Sequence, residues 1–208
     1  MELDSIKRAA PVYFRDRVDS TNIQIKELAA RGAADGTVFA AAAQSAGRGR
    51  KGRSFLSPPG GLYLSMLLRP DCKAEDSLSI TPSAAVAVCR AVERVCGLRC
   101  GIKWPNDVVL GGKKLCGILT EASTDGQGLY LVLGIGVNVN TAEFPEELSA
   151  VAGSLYLYSG KKTELEALAR ELIAQLDRMY AAWKKDKSVC LPEYRALCVT
   201  CGKEVLAA

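Results

Sequence analysis

The heptad Gly47-Arg48-Gly49-Arg50-Lys51-Gly52-Arg53 sets four cations among three glycines, with no acid between them. Glycine lets a backbone approach a ligand closely, and interleaved arginines engage phosphate or carboxylate in bidentate fashion. The formal charge of the whole chain is +4, so outside this heptad it is neutral. One concentrated anion site therefore accounts for the excess. Taken alone, the heptad fits a nucleotide phosphate clamp, an RNA-binding arginine–glycine patch or a solvated basic loop. It is no Walker loop, because the Gly-Lys-Ser/Thr ending is absent.

Three more segments carry chemistry. Lys103-Trp104-Pro105-Asn106-Asp107 places a cation and a carboxylate four residues apart around a rigid proline. That arrangement suits an adenylate phosphate with Mg²⁺ or an incoming amine, and equally a plain turn. Lys113-Lys114-Leu115-Cys116-Gly117-Ile118-Leu119 reads as a hairpin edge with solvated lysines. Gly134-Ile135-Gly136-Val137-Asn138 puts two glycines into an apolar strand. Either a ligand lies on that strand with Asn138 aimed at it, or the glycines mark a pair of bulges.

Other chemistries are excluded by composition. The 208 residues contain no His, so there is no Ser-His-Asp triad, Cys-His pair or His-ligated metal. Of eight cysteines, Cys89, Cys96 and Cys116 fall in apolar patterns, which points to reduced thiols in a cytoplasmic protein. Cys198-Val199-Thr200-Cys201 has CxxC spacing without a second pair, which leaves a zinc or redox role as a minor alternative. No apolar run is long enough to span a membrane, and Met1–Asp19 is too charged for a secretory signal.

The elements that must position these residues follow from periodicity. Ser20-Thr21-Asn22 offers N-caps for a helix through Arg31, closed by Gly32. Thr37–Ala43 and Leu62–Arg69 read as strands separated by a long loop, Gln44–Gly61. Ser77–Cys96 reads as a helix stopped by Gly97. A meander follows: Gly101–Trp104, Asp107–Leu110, Lys114–Ala122 and Leu129–Val139, with turns at Gly111-Gly112 and Asp125-Gly126. Thr163-Glu164-Leu165-Glu166 reads as a capping box opening an amphipathic helix through Trp183. A further helix lies near Leu191–Cys198. The expected class is α+β: a mixed, largely antiparallel sheet packed by helices.

In this order, Asp19–Asn22, Gln44, Gly47–Arg53, Lys103–Asp107, Lys114–Leu119 and Gly134–Asn138 resemble the signatures of the catalytic domain of biotin–protein ligases. The resemblance runs from about residue 16 to 140 and implies a class II synthetase-like fold. It implies ATP and Mg²⁺ as cofactors and two steps. Biotin carboxylate attacks the α-phosphate to give biotinoyl-5′-AMP; a lysine of a biotin carboxyl carrier domain then takes the biotinoyl group. It assigns Ser20, Thr21, Asn22 and Gln44 to the biotin head, Gly47 and Arg48 to the closing loop, and Gly117, Leu119, Gly134 and Gly136 to the pocket walls. Arg50, Lys51 and Arg53, with Arg48, would hold the phosphates. Lys103 and Lys114 would contact phosphate and acyl oxygens, with Asn106 and Asp107 facing the metal or the amine. Phe55, where an aromatic Trp is expected, would stack on adenine, and Asn138 would face adenine or ribose. Arg48, Lys103, Asp107 and Lys114 are the catalytic candidates, and Asp107 is the candidate metal contact.

The resemblance also sets domain expectations. Residues 1–200 would form the catalytic domain, and 201–208 a stub where relatives continue into a small β-barrel. With 18 residues before Asp19, no winged helix-turn-helix is expected, hence no DNA partner. Monomer and homodimer both remain open. The alternatives are a lipoate or octanoate ligase of the same superfamily and a non-catalytic nucleotide- or RNA-binding module. Neutrality outside the heptad disfavours the module, since strand-tracking grooves need cations spread over several nucleotides.

Overall fold

In the computed structural model of the chain, residues 1–204 are described. Seven strands form one sheet: β1 (Val12–Val18), β2 (Val38–Gln44), β3 (Leu62–Leu68), β4 (Gly101–Lys103), β5 (Asp107–Leu110), β6 (Lys113–Asp125) and β7 (Gly128–Val137). Their spatial order is β1-β2-β3-β7-β6-β5-β4. Only β1 and β2 run parallel, so the sheet is mixed and largely antiparallel, as the sequence indicates. The helices are α1 (Thr21–Ala30), α2 (Ile80–Cys96), α3 (Glu146–Ser149), α4 (Leu155–Ser159), α5 (Leu165–Lys185) and α6 (Leu191–Leu197).

The period of two in the strands divides the sheet into two faces. Leu62, Leu64, Met66 and Leu68 of β3, with Leu131, Leu133, Ile135 and Val137 of β7, join the main core. Against them pack α2 and α5, through Ala84, Val88 and Val92 and through Leu168, Leu172, Leu176 and the fully buried Trp183. Each large apolar side chain buried there contributes roughly 1.5–3 kcal/mol. The opposite face is covered by α1, whose Ile25 and Ala29 pack on Phe39, Leu67 and Val132. On the same face, next to α1, the sheet presents Ser65, Gly117, Gly134 and Gly136, flanked by Tyr63 and Leu119. The site lies there.

Four expectations need correction. β1 falls in the segment Met1–Asp19, where no strand is evident from sequence. It is an edge strand whose Arg15, Asp16 and Arg17 are all exposed, so its apolar signal is thin. The expected helix Ser77–Cys96 opens instead with a 3-10 turn over Ala74–Ser79, and α-helical geometry starts at Ile80. Its stop holds: Gly97 takes φ 68° and donates to Glu93 O at 2.8 Å, a conformation that suits glycine. The capping box does not form. Glu164 occupies the N-cap without a side-chain bond, because Thr163 N–H is drawn to Asn140 Oδ1 at 2.9 Å. Finally, β6 extends to Asp125, and its turn to β7 is made by Gly126 and Gln127.

The sheet and its helices run from Leu3 to Leu197. Of the expected stub 201–208, positions 205–208 lie outside the described residues. Among the described residues, no helix is long and apolar enough to cross a membrane.

Candidate active site

Two lateral rows, each with a glycine of β7 at its centre, cross the middle of the sheet. Ser65, Gly134 and Leu119 are paired in one, and Tyr63, Gly136 and Gly117 in the next. The pairing is regular through both glycines of β7, so they are not bulges. Their missing side chains make room. A Cβ on Gly134 would stand 2.1 Å from Asn22 Oδ1, and one on Gly136 would stand 2.6 Å from the Phe55 ring. Above this glycine floor lies a cavity of about 610 Å³.

A polar network fixes the inner end of the cavity. The Ser65 hydroxyl is shared between Thr21 Oγ1 at 2.7 Å and Asn22 Oδ1 at 2.6 Å. Gln44 Oε1 accepts from Thr21 N at 2.8 Å and from its hydroxyl at 3.2 Å. Gln44 Nε2 donates to Ser57 Oγ at 2.9 Å. Ser20 takes the N-cap position of α1, yet its hydroxyl makes no cap bond; Gln44 satisfies the helix N–H instead. Donors and acceptors are thus held in place before any ligand arrives, which lowers the ordering cost of binding.

Asn22 Nδ2 donates to Glu121 Oε2 at 2.8 Å, and Lys26 Nζ donates to Glu121 Oε1 at 2.7 Å. Arg48 reaches the same carboxylate at 3.6 Å. Burial pushes the Glu121 carboxyl up. The hydrogen bonds from Lys26 and Asn22 and the charges of Lys26 and Arg48 outweigh that and hold it below the ordinary carboxylate value.

The outer end is cationic. Arg48, Arg50, Lys51, Arg53, Lys103 and Lys114 all line it. The heptad folds as a tight excursion: Phe55 N donates to Gly47 O at 2.9 Å, and Gly49 N donates to Arg53 O at 2.7 Å. At its tip Lys51 sits in the left-handed region at φ 56°, with Gly52 at φ 73° beside it. Arg50 donates to Asn106 Oδ1 at 3.0 Å, and Asn106 Nδ2 donates to Ile118 O at 2.8 Å. The loop is therefore tied to the β4–β5 turn. Lys114 Nζ lies 2.7 Å from Asp107 Oδ1, and Asp107 is the one carboxylate among the described cavity-lining residues.

Of the residues expected from sequence, all but two line the cavity. Gly47 stands behind the wall, where a Cβ would meet Phe55 O at 2.3 Å and Ser57 Oγ at 2.5 Å. Asn138 is buried and turned away, its amide donating to Gly153 O at 3.0 Å. Phe55 lies over Gly117 and Gly136 on the glycine floor, with Lys114 Nζ 5.8 Å from its ring centroid. Sequence reasoning missed Ser65, Glu121 and Thr200. Ser65 had a signal, as a polar residue inside an otherwise apolar strand, whereas Glu121 stands beside Thr120 in the polar half of β6 and had none. Thr200 carried none.

A glycine floor on a mixed sheet, roofed by an arginine–glycine loop, is the arrangement that the resemblance to biotin–protein ligases implies. The chain belongs to the biotin/lipoate A/B protein ligase family, whose model matches residues 14–138. It is 37% identical to the bifunctional ligase/repressor BirA of Bacillus spizizenii over 173 residues, 81% of this chain and 53% of that protein. It is 33% identical to the biotin–[acetyl-CoA-carboxylase] ligase of Mycobacterium tuberculosis over 192 residues, 89% of this chain and 70% of that protein. The structure of biotin protein ligase from Aquifex aeolicus in complex with biotin and ATP superposes with a TM-score of 0.84 at 32% identity, covering 93% of this chain and 80% of that one. The chain spans about half the length of its Bacillus relative.

Proposed function

We propose that the chain is an ATP-dependent biotin–protein ligase, acting through residues 1–200. One observation carries this reading: a single cavity joins an uncharged, hydrogen-bonding inner end to a cationic outer end. An acyl-adenylate with a neutral bicyclic head needs both. Biotin's ureido ring would meet Ser20, Thr21, Asn22 and Gln44 over the glycine floor, and its carboxylate would point toward Lys114 and the loop. The relatives named above support biotin as the acid and a carboxylase carrier domain as the acceptor.

In the first step a biotin carboxylate oxygen forms a bond to the α-phosphorus, and the bond to pyrophosphate breaks. In the second an acceptor lysine amine attacks the acyl carbon, and AMP leaves with the bonding pair. No covalent enzyme nucleophile is required. Both steps build negative charge, on phosphate oxygens and then on the acyl oxygen, and Lys114, Lys103 and the loop arginines line the cavity in which that charge would form. Holding the two reactants in one cavity removes the entropy of bringing them together. Magnesium, carried on the ATP phosphates, would offset charge there, and Asp107 is the carboxylate placed to meet it. Its ion pair with Lys114 leaves no all-protein cage, which matches the way magnesium is commonly held.

ATP–pyrophosphate exchange with biotin, lipoate, octanoate or no acid tests the reading. Exchange with biotin is expected. Exchange with lipoate or octanoate alone would move the assignment to the sister ligases, and no exchange with any acid would move it to a nucleotide- or RNA-binding module.

A further inference from the structure

Cys198 and Cys201 lie at the end of α6, beside the cavity and outside the machinery described above. Their segment is zipped to β4: Val199 N donates to Ile102 O at 2.8 Å. Between the two cysteines, Thr200 lines the cavity, and its Oγ1 accepts from Trp104 N at 3.3 Å. That leaves the hydroxyl proton free for Cys198 Sγ, 3.3 Å away.

The surroundings favour a thiolate at Cys198. Burial pushes this thiol up. Hydrogen bonds from the side chains and the backbone N–H groups of Thr200 and Cys201 outweigh it and bring the thiol down to about 7. Those donors also outweigh the unfavourable C-terminal end of the seven-residue α6. Cys201 is exposed, and its own thiol is pushed up because it shares its proton with Cys198. The contrast with the core is sharp: Cys89 and Cys116 are buried and pushed up. A low thiol and a higher, exposed one, with two residues between them, is the arrangement of an attacking and a resolving cysteine.

We propose that Cys198 and Cys201 form a thiol–disulfide exchange site for low-molecular-weight disulfides. The Cys198 thiolate attacks one sulfur of the small disulfide. A mixed disulfide forms, and one small thiolate leaves. Cys201 then attacks Cys198 Sγ, its proton passing to the second departing thiolate. The products are a Cys198–Cys201 disulfide and two small thiols, so two electrons pass from the protein to the small disulfide. The reaction does not depend on the ligase reading.

The test uses the full chain with oxidised glutathione at neutral pH, followed by alkylation and peptide mapping. Expected is one internal disulfide joining Cys198 and Cys201, with the other six of the eight cysteines alkylated. Cys201→Ser should trap glutathione on Cys198. Cys198→Ser should react at Cys201 about tenfold more slowly than Cys198 does in Cys201→Ser. A glutathione adduct that persists on wild-type Cys198 would overturn the proposal. So would oxidation centred on other cysteines, or equal rates in the two variants. The wild-type mapping needs no variant to fold.

Discussion

The Phe55 ring covers Gly136 so closely that a Cβ there would stand 2.6 Å from the ring edge, whereas the Cβ of an alanine at Gly134 would meet Asn22 Oδ1 at 2.1 Å. The two neighbours differ in freedom. Phe55 hangs on the loop, while Asn22 is pinned by Ser65 and Glu121. Gly134→Ala is expected to destabilise the fold by about 2–3 kcal/mol, the upper end of overpacking. Gly136→Ala should cost less stability but weaken biotin binding by roughly tenfold, about 1.4 kcal/mol, because the ring must shift into the pocket. Urea unfolding and calorimetric titration with biotin separate the two outcomes.

Glu121 gathers Asn22, Lys26 and Arg48 at one carboxylate held below its ordinary value. A depressed carboxyl contributes stability that is fully present above its unfolded value, about 4.3, and is lost as pH falls through its folded value. Glu121→Gln should therefore be less stable than wild type at pH 7, and the gap should close below about pH 4. A pH series of thermal melts checks the sign. A gap that stays constant with pH would mean the carboxylate charge is not what binds these three groups.

The meander, the long helices and the basic heptad were legible in the sequence because each repeats a local period or concentrates one charge. What escaped was non-local. β1 shows only as a strand because β2 lies beside it, with Val12 opposite Val38. The role of Ser65 depends on Thr21 and Asn22, more than forty positions earlier in the chain. Asn138 was found as a residue but misjudged in direction, since a side chain's heading past the end of a strand is set by its neighbours. Asn138 turns toward Gly153 because that carbonyl needs a donor.

Arg48 is half-exposed and reaches Glu121 at 3.6 Å, the one ion pair in which a heptad cation takes part among the described residues. It is placed to bridge the inner polar network and the phosphate end. Arg48→Gly should keep the fold but release biotinoyl-AMP early, so that bystander proteins become biotinylated. Streptavidin blots of a mixture of the ligase, ATP, biotin and an unrelated lysine-rich protein measure this. Labelling no greater than wild type would remove Arg48 from that role.

Four clustered cations repel one another until an anion arrives. Biotin with ATP is expected to protect the bonds after Arg48, Arg50, Lys51 and Arg53 from trypsin at least several-fold, with biotin alone giving less. The control is the basic helix end Lys184-Lys185, whose cleavage should not change. Equal cleavage of the heptad with and without ligands would show that its tie from Arg50 to Asn106 already sets its order.

Lys114 and Asp107 form the ion pair nearest the expected carboxylate, 2.7 Å apart. Two roles are mixed in it: in the proposed reaction Lys114 offers charge to the acyl phosphate, and it also neutralises a carboxylate whose buried Oδ1 has no other partner. Lys114→Met removes both. Adenylate formation should fall by about 10²–10³, the usual loss for one electrostatic donor, while biotin affinity changes little. Stability should also fall, because a buried carboxylate is left unpaired. Adding Asp107→Asn removes that stranded charge. The double variant should recover most of the lost stability and none of the lost rate. Single-turnover pyrophosphate release and urea unfolding on the wild type, the two single variants and the double variant test this. Recovery of rate along with stability would mean that Lys114 serves the fold and that another cation meets the phosphate.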